Sequence, residues 1–224
     1  EALARSLPLQ ILGRHKNSML QTEALLFGQA GMLEGEDFEE EYPRLLVQEY
    51  AHLKRKYNLV PLERQYWKFA RLRPANFPTI RIAQFAALIY QSVHLFSKIL
   101  ETTEVRDIFN FFETAPDPYW QTHYQLDKPS AKREKTPGRD FTELLIINTI
   151  APFLFHYGKV KGEDIFQKRA FHFLEQLPAE ENSIVEGWKT VGLVCKNAYQ
   201  SQSAIHLKTR YCDPKRCLSC AVGN

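Results

Sequence analysis

The chain has 224 residues, 44% hydrophobic and 25% charged, the balance of a water-soluble globular protein able to bury a normal core without disulfide staples. Its 29 Lys and Arg stand against 26 Asp and Glu. That net charge is too even to mark a nucleic-acid binder by itself, since such domains more often show a clustered basic face and a pI above about 9. No stretch approaches the roughly 18 apolar residues of a membrane span, and no signal-peptide pattern opens the chain, so no membrane association is expected.

Leu3 to Leu12 is apolar enough for a short helix despite Pro8. Met19, Leu20, Ala24, Leu25 and Leu26 then have helical spacing that ends near Gly28 and Gly31. In the acidic stretch Glu34 to Glu41, Asp37 reads as the N-cap of a helix to Tyr57 with Leu45, Leu46, Tyr50 and Leu53 inward. Between Asn58 and Pro78 the periodicity fails. Pro61, Pro74 and Pro78 punctuate a run of Trp67, Phe69, Leu72 and Phe77 mixed with Arg64, Arg71 and Arg73, which predicts an extended aromatic segment. Helical spacing resumes at Thr79 and continues through Ile82, Phe85, Ala86, Ile89, Val93 and Phe96 to Leu100, and a shorter helix follows from Glu104 to Phe112.

Residues 113–139 hold four prolines and the basic run Lys132, Arg133 and Lys135. They read as a linker between an N-terminal helical half, 1–112, and a C-terminal half, 140–224; the two halves are expected to make one structural domain. Trp120, Tyr119 and Tyr124 suggest that the first part of this linker packs, and the second part reads as an exposed basic loop. Beyond it, Asp140 is the expected N-cap of an apolar helix to His156 that Pro152 should kink. Asp164 to Leu177, Glu180 to Trp188 and Lys196 to Lys208 complete the helices. The expected class is all-α, a compact multi-helix domain with one extended aromatic and proline segment and one long basic loop. No βαβ alternation with a glycine-rich phosphate loop is present, which removes Rossmann and P-loop readings.

The C-terminus carries Cys212, Cys217 and Cys220 in a C-x4-C-x2-C pattern. A C-x2-C turn brings two sulfurs to one side, and tetrahedral zinc needs four ligands at about 2.0–2.3 Å. His206 is the easier fourth ligand and Cys195 the alternative. The two lie eleven residues apart, roughly 16 Å along a helix, so they cannot share one metal. Zinc is favoured over an Fe–S cluster. The competing reading is a cap of packed thiols, since cysteine is commonly buried as a small hydrophobe. Fastening the C-terminus to the last helix is the expected task in either case. Four cysteines, three of them bunched, do not resemble a secreted disulfide scaffold, so a reducing, cytoplasmic compartment is expected.

The second unusual stretch runs from Arg71 to Arg81. Two prolines fix φ angles just before a helix start, where free N–H groups and the positive dipole end suit a phosphate or carboxylate. Arg71, Arg73, Asn76 and Arg81 are the candidate anion contacts. The favoured alternative pairs these arginines with the acids of Glu34 to Glu41 and so pins the segment in place.

The strings EALLFGQAG from Glu23 to Gly31, RLRPANFPTIRIAQ from Arg71 to Gln84, and YCDPKRCLSCAVG from Tyr211 to Gly223 resemble those of an uncharacterised bacterial family, largely from Bacteroidetes, known only as a domain of unknown function. The resemblance carries no assigned activity. It implies a longer protein with a strand-rich, nuclease-like N-terminal region, of which this chain, opening on Glu1 rather than Met, is the helical C-terminal part. The leading functional expectation is a non-catalytic helical module associated with nucleic acid or another polyanion and working beside that missing region. The competing classes are an enzyme, with its site at Arg71 to Arg81 or at the cysteines or in the absent part, and a purely structural or interaction domain.

Overall fold

The computed structural model describes residues 2–92 and 94–223. Helices dominate, and the β structure among these residues is one small antiparallel hairpin, β1 His123–Gln125 and β2 Lys128–Pro129. The class is all-α. The chain divides into two compact units: residues 1–95 with 111–137, and residues 96–110 with 138–224. Most of the segment that reads as a linker, 113–139, therefore belongs to the first unit, where Trp120 is fully buried.

The first unit is built on α1 (Ala2–Ser6), α2 (Leu9–His15), α3 (Met19–Gln29), α4 (Glu41–Tyr57) and α5 (Pro78–Gln91). Every residue of α3 from Thr22 to Gln29 is buried, with α4 and α5 packed against it. A helix that is apolar almost all round is one enclosed by other elements. Gly28 makes the enclosure possible, because a Cβ there would fall inside the Tyr50 ring of α4. The Gln29 side chain donates to the carbonyls of Ser6 and Val60 and accepts from the Tyr50 hydroxyl at 3.3 Å. One buried amide thus ties α1, the segment after α4, and α4 itself to the central helix.

The expected α4 start differs from the observed one. Asp37 does not cap it; Glu40 holds the N-cap position, and its side chain makes no capping bond. The carboxylate of Asp127, from the hairpin turn, accepts from the Glu39 N–H at 2.6 Å and the Glu40 N–H at 3.1 Å. A remote side chain does the work usually done by a local one. Leu46, Tyr50 and Leu53 are buried as expected, whereas Leu45 is 39% exposed. The segment from 58 to 77 is irregular, with short 3-10 turns at Arg64–Tyr66 and Pro74–Asn76. Trp67 donates its indole N–H to the Ala30 carbonyl at 2.7 Å, and Phe69 packs edge-on against Phe77, which fixes the segment to the core.

Thr79 to Leu100 is not one helix. α5 ends at Gln91, a new helix, α6 (Leu95–Glu101), begins four residues later, and His94 at the junction has φ 62°. Val93, counted in the expected periodicity, lies outside the described residues. Phe85, also counted as inward, is 42% exposed.

The second unit takes most of α6, most of α7 (Val105–Phe112), and α8 (Arg139–Leu145), α9 (Ala151–Lys161), α10 (Asp164–Gln176), α11 (Ser183–Thr190) and α12 (Ala198–Leu207). Gly138 rather than Asp140 stands at the N-cap of α8, with Asp140 in the first turn. A π-helical turn, Ile146–Ile150, joins α8 to α9 immediately before Pro152. Wider i→i+5 bonding there accommodates the proline that cannot donate. α9 and α10 form a hairpin closed by Gly162 at φ 72°, and Leu154 and Phe173 are fully buried in this unit. Asn182 and Asn197 accept backbone N–H bonds at the starts of α11 and α12, which therefore begin two or three residues later than the apolar spacing suggests. No described helix is long and apolar enough to cross a membrane.

The Gly28 contact yields a paired prediction. Gly28→Ala destabilises the first unit by about 1–3 kcal/mol through overpacking against Tyr50. Gly13→Ala, where an added methyl meets nothing within 4 Å inside α2, leaves stability unchanged or raises it by up to about 1 kcal/mol. Urea denaturation of both variants measures the contrast.

Candidate functional site

Asp117 opens a 3-10 turn, Pro118–Thr122, by accepting the Tyr119 N–H at 2.9 Å. The turn drives Trp120 into the core, where it stacks on Phe27 with centroids 5.1 Å apart. A buried indole N–H needs an acceptor. It finds the Glu23 carboxylate, at 2.9 and 3.1 Å to the two oxygens. The Tyr42 hydroxyl donates to the same carboxylate at 2.9 Å.

Glu23 is wholly buried and has no cation beside it among the described residues. Burial pushes its pKa up to about 8, against the opposing pull of the Trp120 and Tyr42 hydrogen bonds, and the charge of Asp117 raises it further. Burial also raises Asp117, and burial with both neighbouring carboxylates raises the Tyr42 phenol. Tyr42 lies beside both acids yet carries one proton. With both acids ionised, one of them would face only the phenol's lone pairs. A single extra proton on the Glu23–Tyr42–Asp117 chain satisfies every group.

A second polar layer adjoins the first. Tyr119 stacks flat on His123 at 4.0 Å, donates to Glu40 at 2.6 Å and accepts the Asp127 N–H at 2.9 Å. The His123 ring bridges the Glu40 carboxylate at 3.0 Å and the Tyr119 carbonyl at 3.0 Å. On the outer side of Asp117 and Trp120 opens a cavity of about 290 Å³, also lined by Gln121, Lys132, Glu134 and Lys135. Lys135 is only 5% exposed. Burial lowers its pKa, as does the neighbouring charge of Arg133. A perturbed acid, Asp117, and a perturbed base, Lys135, on one cavity mark a candidate site.

The residues singled out in the sequence are placed differently. Arg71 and Arg73 are exposed and, among the described residues, have no ion-pair partner. Arg71 has φ 63°, uncommon outside glycine. Asn76 accepts from Arg81 at 2.6 Å and Gln84 accepts from Arg81 at 2.9 Å, so those three form a local cluster apart from the other two arginines. Arg64 pairs with the acidic stretch, on Glu36. Thr79, at the start of α5, lines a cavity of about 190 Å³ with charges of both signs, Glu36, Asp37 and Asp127 beside Arg64 and Lys128.

The cysteines are free, with Cys212 and Cys217 exposed and Cys220 buried. All three line one small cavity of about 130 Å³ beneath Trp188 and Tyr211. Cys195 and His206 line a different space, an apolar groove of about 820 Å³ with Phe171, Leu193, Val194 and Tyr199. α12 runs on through a π-helical turn, Lys208–Cys212, so Cys212 lies six positions, roughly 9 Å of rise, beyond His206. Among the described residues no three His, Cys, Asp or Glu side chains are grouped to hold a metal ion.

Glu23, Asp117 and Lys135 escape a reading of the sequence by motif. One signal was available: Glu23 is the sole charged residue between Lys16 and Glu34. An isolated acid in an apolar helix is either partnered or neutral.

Fold and site together define a helical protein with a buried glutamate behind a half-buried aspartate that lines a charged cavity, a combination that names no reaction. The chain belongs to the family described as "Protein of unknown function (DUF2851)", which matches residues 1–183. The matched region contains Glu23, Tyr42, Arg71, Arg73, Asp117, Trp120 and Lys135 and ends before Cys195 and the cysteine cluster. No curated protein and no solved structure matches the chain.

The acid pair has a measurable pH signature. The folded chain keeps a proton on Glu23 that the unfolded chain releases above pH 4.5, so stability falls as pH rises from about 4.5 to about 8 and then levels. The slope from this group reaches about 1.4 kcal/mol per pH unit. Glu23→Gln, which keeps an acceptor for Trp120 but cannot ionise, flattens that slope in urea denaturation at about pH 5.5 and 8. At the higher pH it is at least as stable as the parent.

Proposed function

We propose that the chain is a non-catalytic helical module that binds polyanions, single-stranded nucleic acid foremost, through the segment from Arg64 to Arg81. The observation that carries this reading is an acid-free run with five cations, of which Lys68, Arg71 and Arg73 are exposed and outside any ion pair among the described residues. Aromatic side chains alternate with them. Trp67, Phe69 and Phe77 are half-buried and anchor the backbone, while Tyr66 is 65% exposed. Cations on a braced strand with an available ring match the combination of phosphate attraction and base stacking that single strands require. The left-handed backbone at Arg71 supports the same reading, since strain held at an exposed arginine needs a reason beyond packing. The plain alternative is a solvated basic surface with no ligand.

Fluorescence anisotropy with a labelled oligothymidylate separates the two. Binding weakens with salt along a log–log slope of about −2, the value for three phosphate contacts at roughly 0.7 each. Replacing Lys68 and Arg73 by Ala and Arg71 by Gly abolishes it without unfolding the chain, because glycine accepts the positive φ. Absence of binding at about 20 mM salt refutes the reading.

A further inference from the structure

The cavity beside Asp117 holds an unusual arrangement of charge. Lys135 lies on one wall, and its ammonium donates to the carbonyls of Arg133 at 3.0 Å and Gln121 at 3.3 Å while sitting 4.0 Å from the centre of the Tyr124 ring. Gln84 holds its backbone by donating to the Lys135 carbonyl at 2.8 Å. Every one of these partners is neutral. No carboxylate pairs with this lysine among the described residues, although only 5% of it is exposed. Burying an ammonium without a counter-charge is costly, and carbonyls with a ring face offset that only in part.

The opposite sign is equally isolated. Asp117, half-buried, is fixed by the Tyr119 N–H and lies beside the Tyr42 hydroxyl, behind which stands Glu23. No cation pairs with either acid among the described residues. Asp117 and Lys135 line the same cavity but do not pair with each other, because each is seated by its own hydrogen bonds on a different part of the chain. Lys132 and Glu134 repeat the pattern at the exposed rim, one of each sign and neither partnered among the described residues. The volume, about 290 Å³, lies at the small end of ligand pockets, which run to roughly 300–1,000 Å³.

A lone monoanion or monocation would satisfy one wall and leave the other isolated. A ligand bearing both charges satisfies both. We propose that this cavity is a binding site for a small zwitterion, an amino acid or a comparable amino carboxylate, whose carboxylate meets Lys135 and whose ammonium meets Asp117. The ammonium supplies the counter-charge for Asp117 that none of the described residues supplies. This site is separate from the Arg64 to Arg81 surface, and the failure of oligonucleotide binding has no bearing on it.

Isothermal titration of the full chain tests the proposal with glycine, L-leucine, β-alanine and γ-aminobutyrate as probes, a series that varies both side chain and charge spacing. At least one binds, and its N-acetyl and carboxamide derivatives, each lacking one charge, bind at least about tenfold more weakly. Asp117→Asn, which keeps the oxygen that caps the turn, and Lys135→Met each weaken the same probe about tenfold or more. Thermal melting of both variants establishes that they are folded. Three results overturn the proposal: no probe binds at about 10 mM, the derivatives bind as well as the parent zwitterion, or folded variants keep full affinity. The derivative comparison uses the parent chain alone, so the test stands even where a variant fails to fold.

Discussion

The indole N–H of Trp120 reaches both oxygens of Glu23 across 97 residues of sequence. That bond, with the one from Tyr42, decides how the first unit is assembled. An acid stripped of water is tolerated only where donors replace the lost hydration, and the donors must arrive at the right angle and depth. The 3-10 turn at Pro118–Thr122 therefore has one permissible seat on α3, and the start of α4 has to bring Tyr42 to the same carboxylate. The stacking of Phe27 on Trp120 and of Tyr42 on Tyr119 follows from that seat. Hydrophobic burial supplies most of the driving force in this unit, but the polar centre selects which of many compact packings is adopted.

The same economy of partners governs the ring of residues around it. Asp127 caps the start of α4 from the hairpin turn, and Tyr119 and His123 share the Glu40 carboxylate. Most polar groups in this layer are satisfied by side chains distant in sequence. Where local satisfaction is lacking, charge is left over, and it is left over in two characteristic places. One is the cavity that Asp117 and Lys135 both line without pairing. The other is the braced segment carrying Lys68, Arg71 and Arg73, where Trp67 and Phe69 turn inward and the cations outward.

The second unit works on different terms. Its helices close over Leu154 and Phe173 with few buried polar groups, and the glycines at 158 and 162 let α9 and α10 meet closely. The cysteines there divide between two spaces. Cys212, Cys217 and Cys220 surround a small cavity, while Cys195 and His206 open on the apolar groove. Continuation of α12 through a π turn carries Cys212 six residues, roughly 9 Å of rise, beyond His206.

Read alone, the sequence determines that the protein is helical, where most helices lie, and that an irregular aromatic segment crosses between α4 and α5. Apolar spacing and proline placement are local properties, and local properties survive without a tertiary structure. Helix boundaries were less legible. The N-cap of α4 is served by Asp127, and the break after Gln91 interrupts a periodicity that continues through it. The candidate sites divide in the same way. Exposed arginines are recognisable because exposure follows from their chemistry, and the cysteine spacing is visible as a pattern. Glu23, Asp117 and Lys135 are ordinary residues in sequence, and only the fold strips them of water and of counter-charges. Burial and partnership are sums over the whole chain, which is why the tertiary structure alone decided that an unremarked glutamate in α3 would become the fixed point of the first unit.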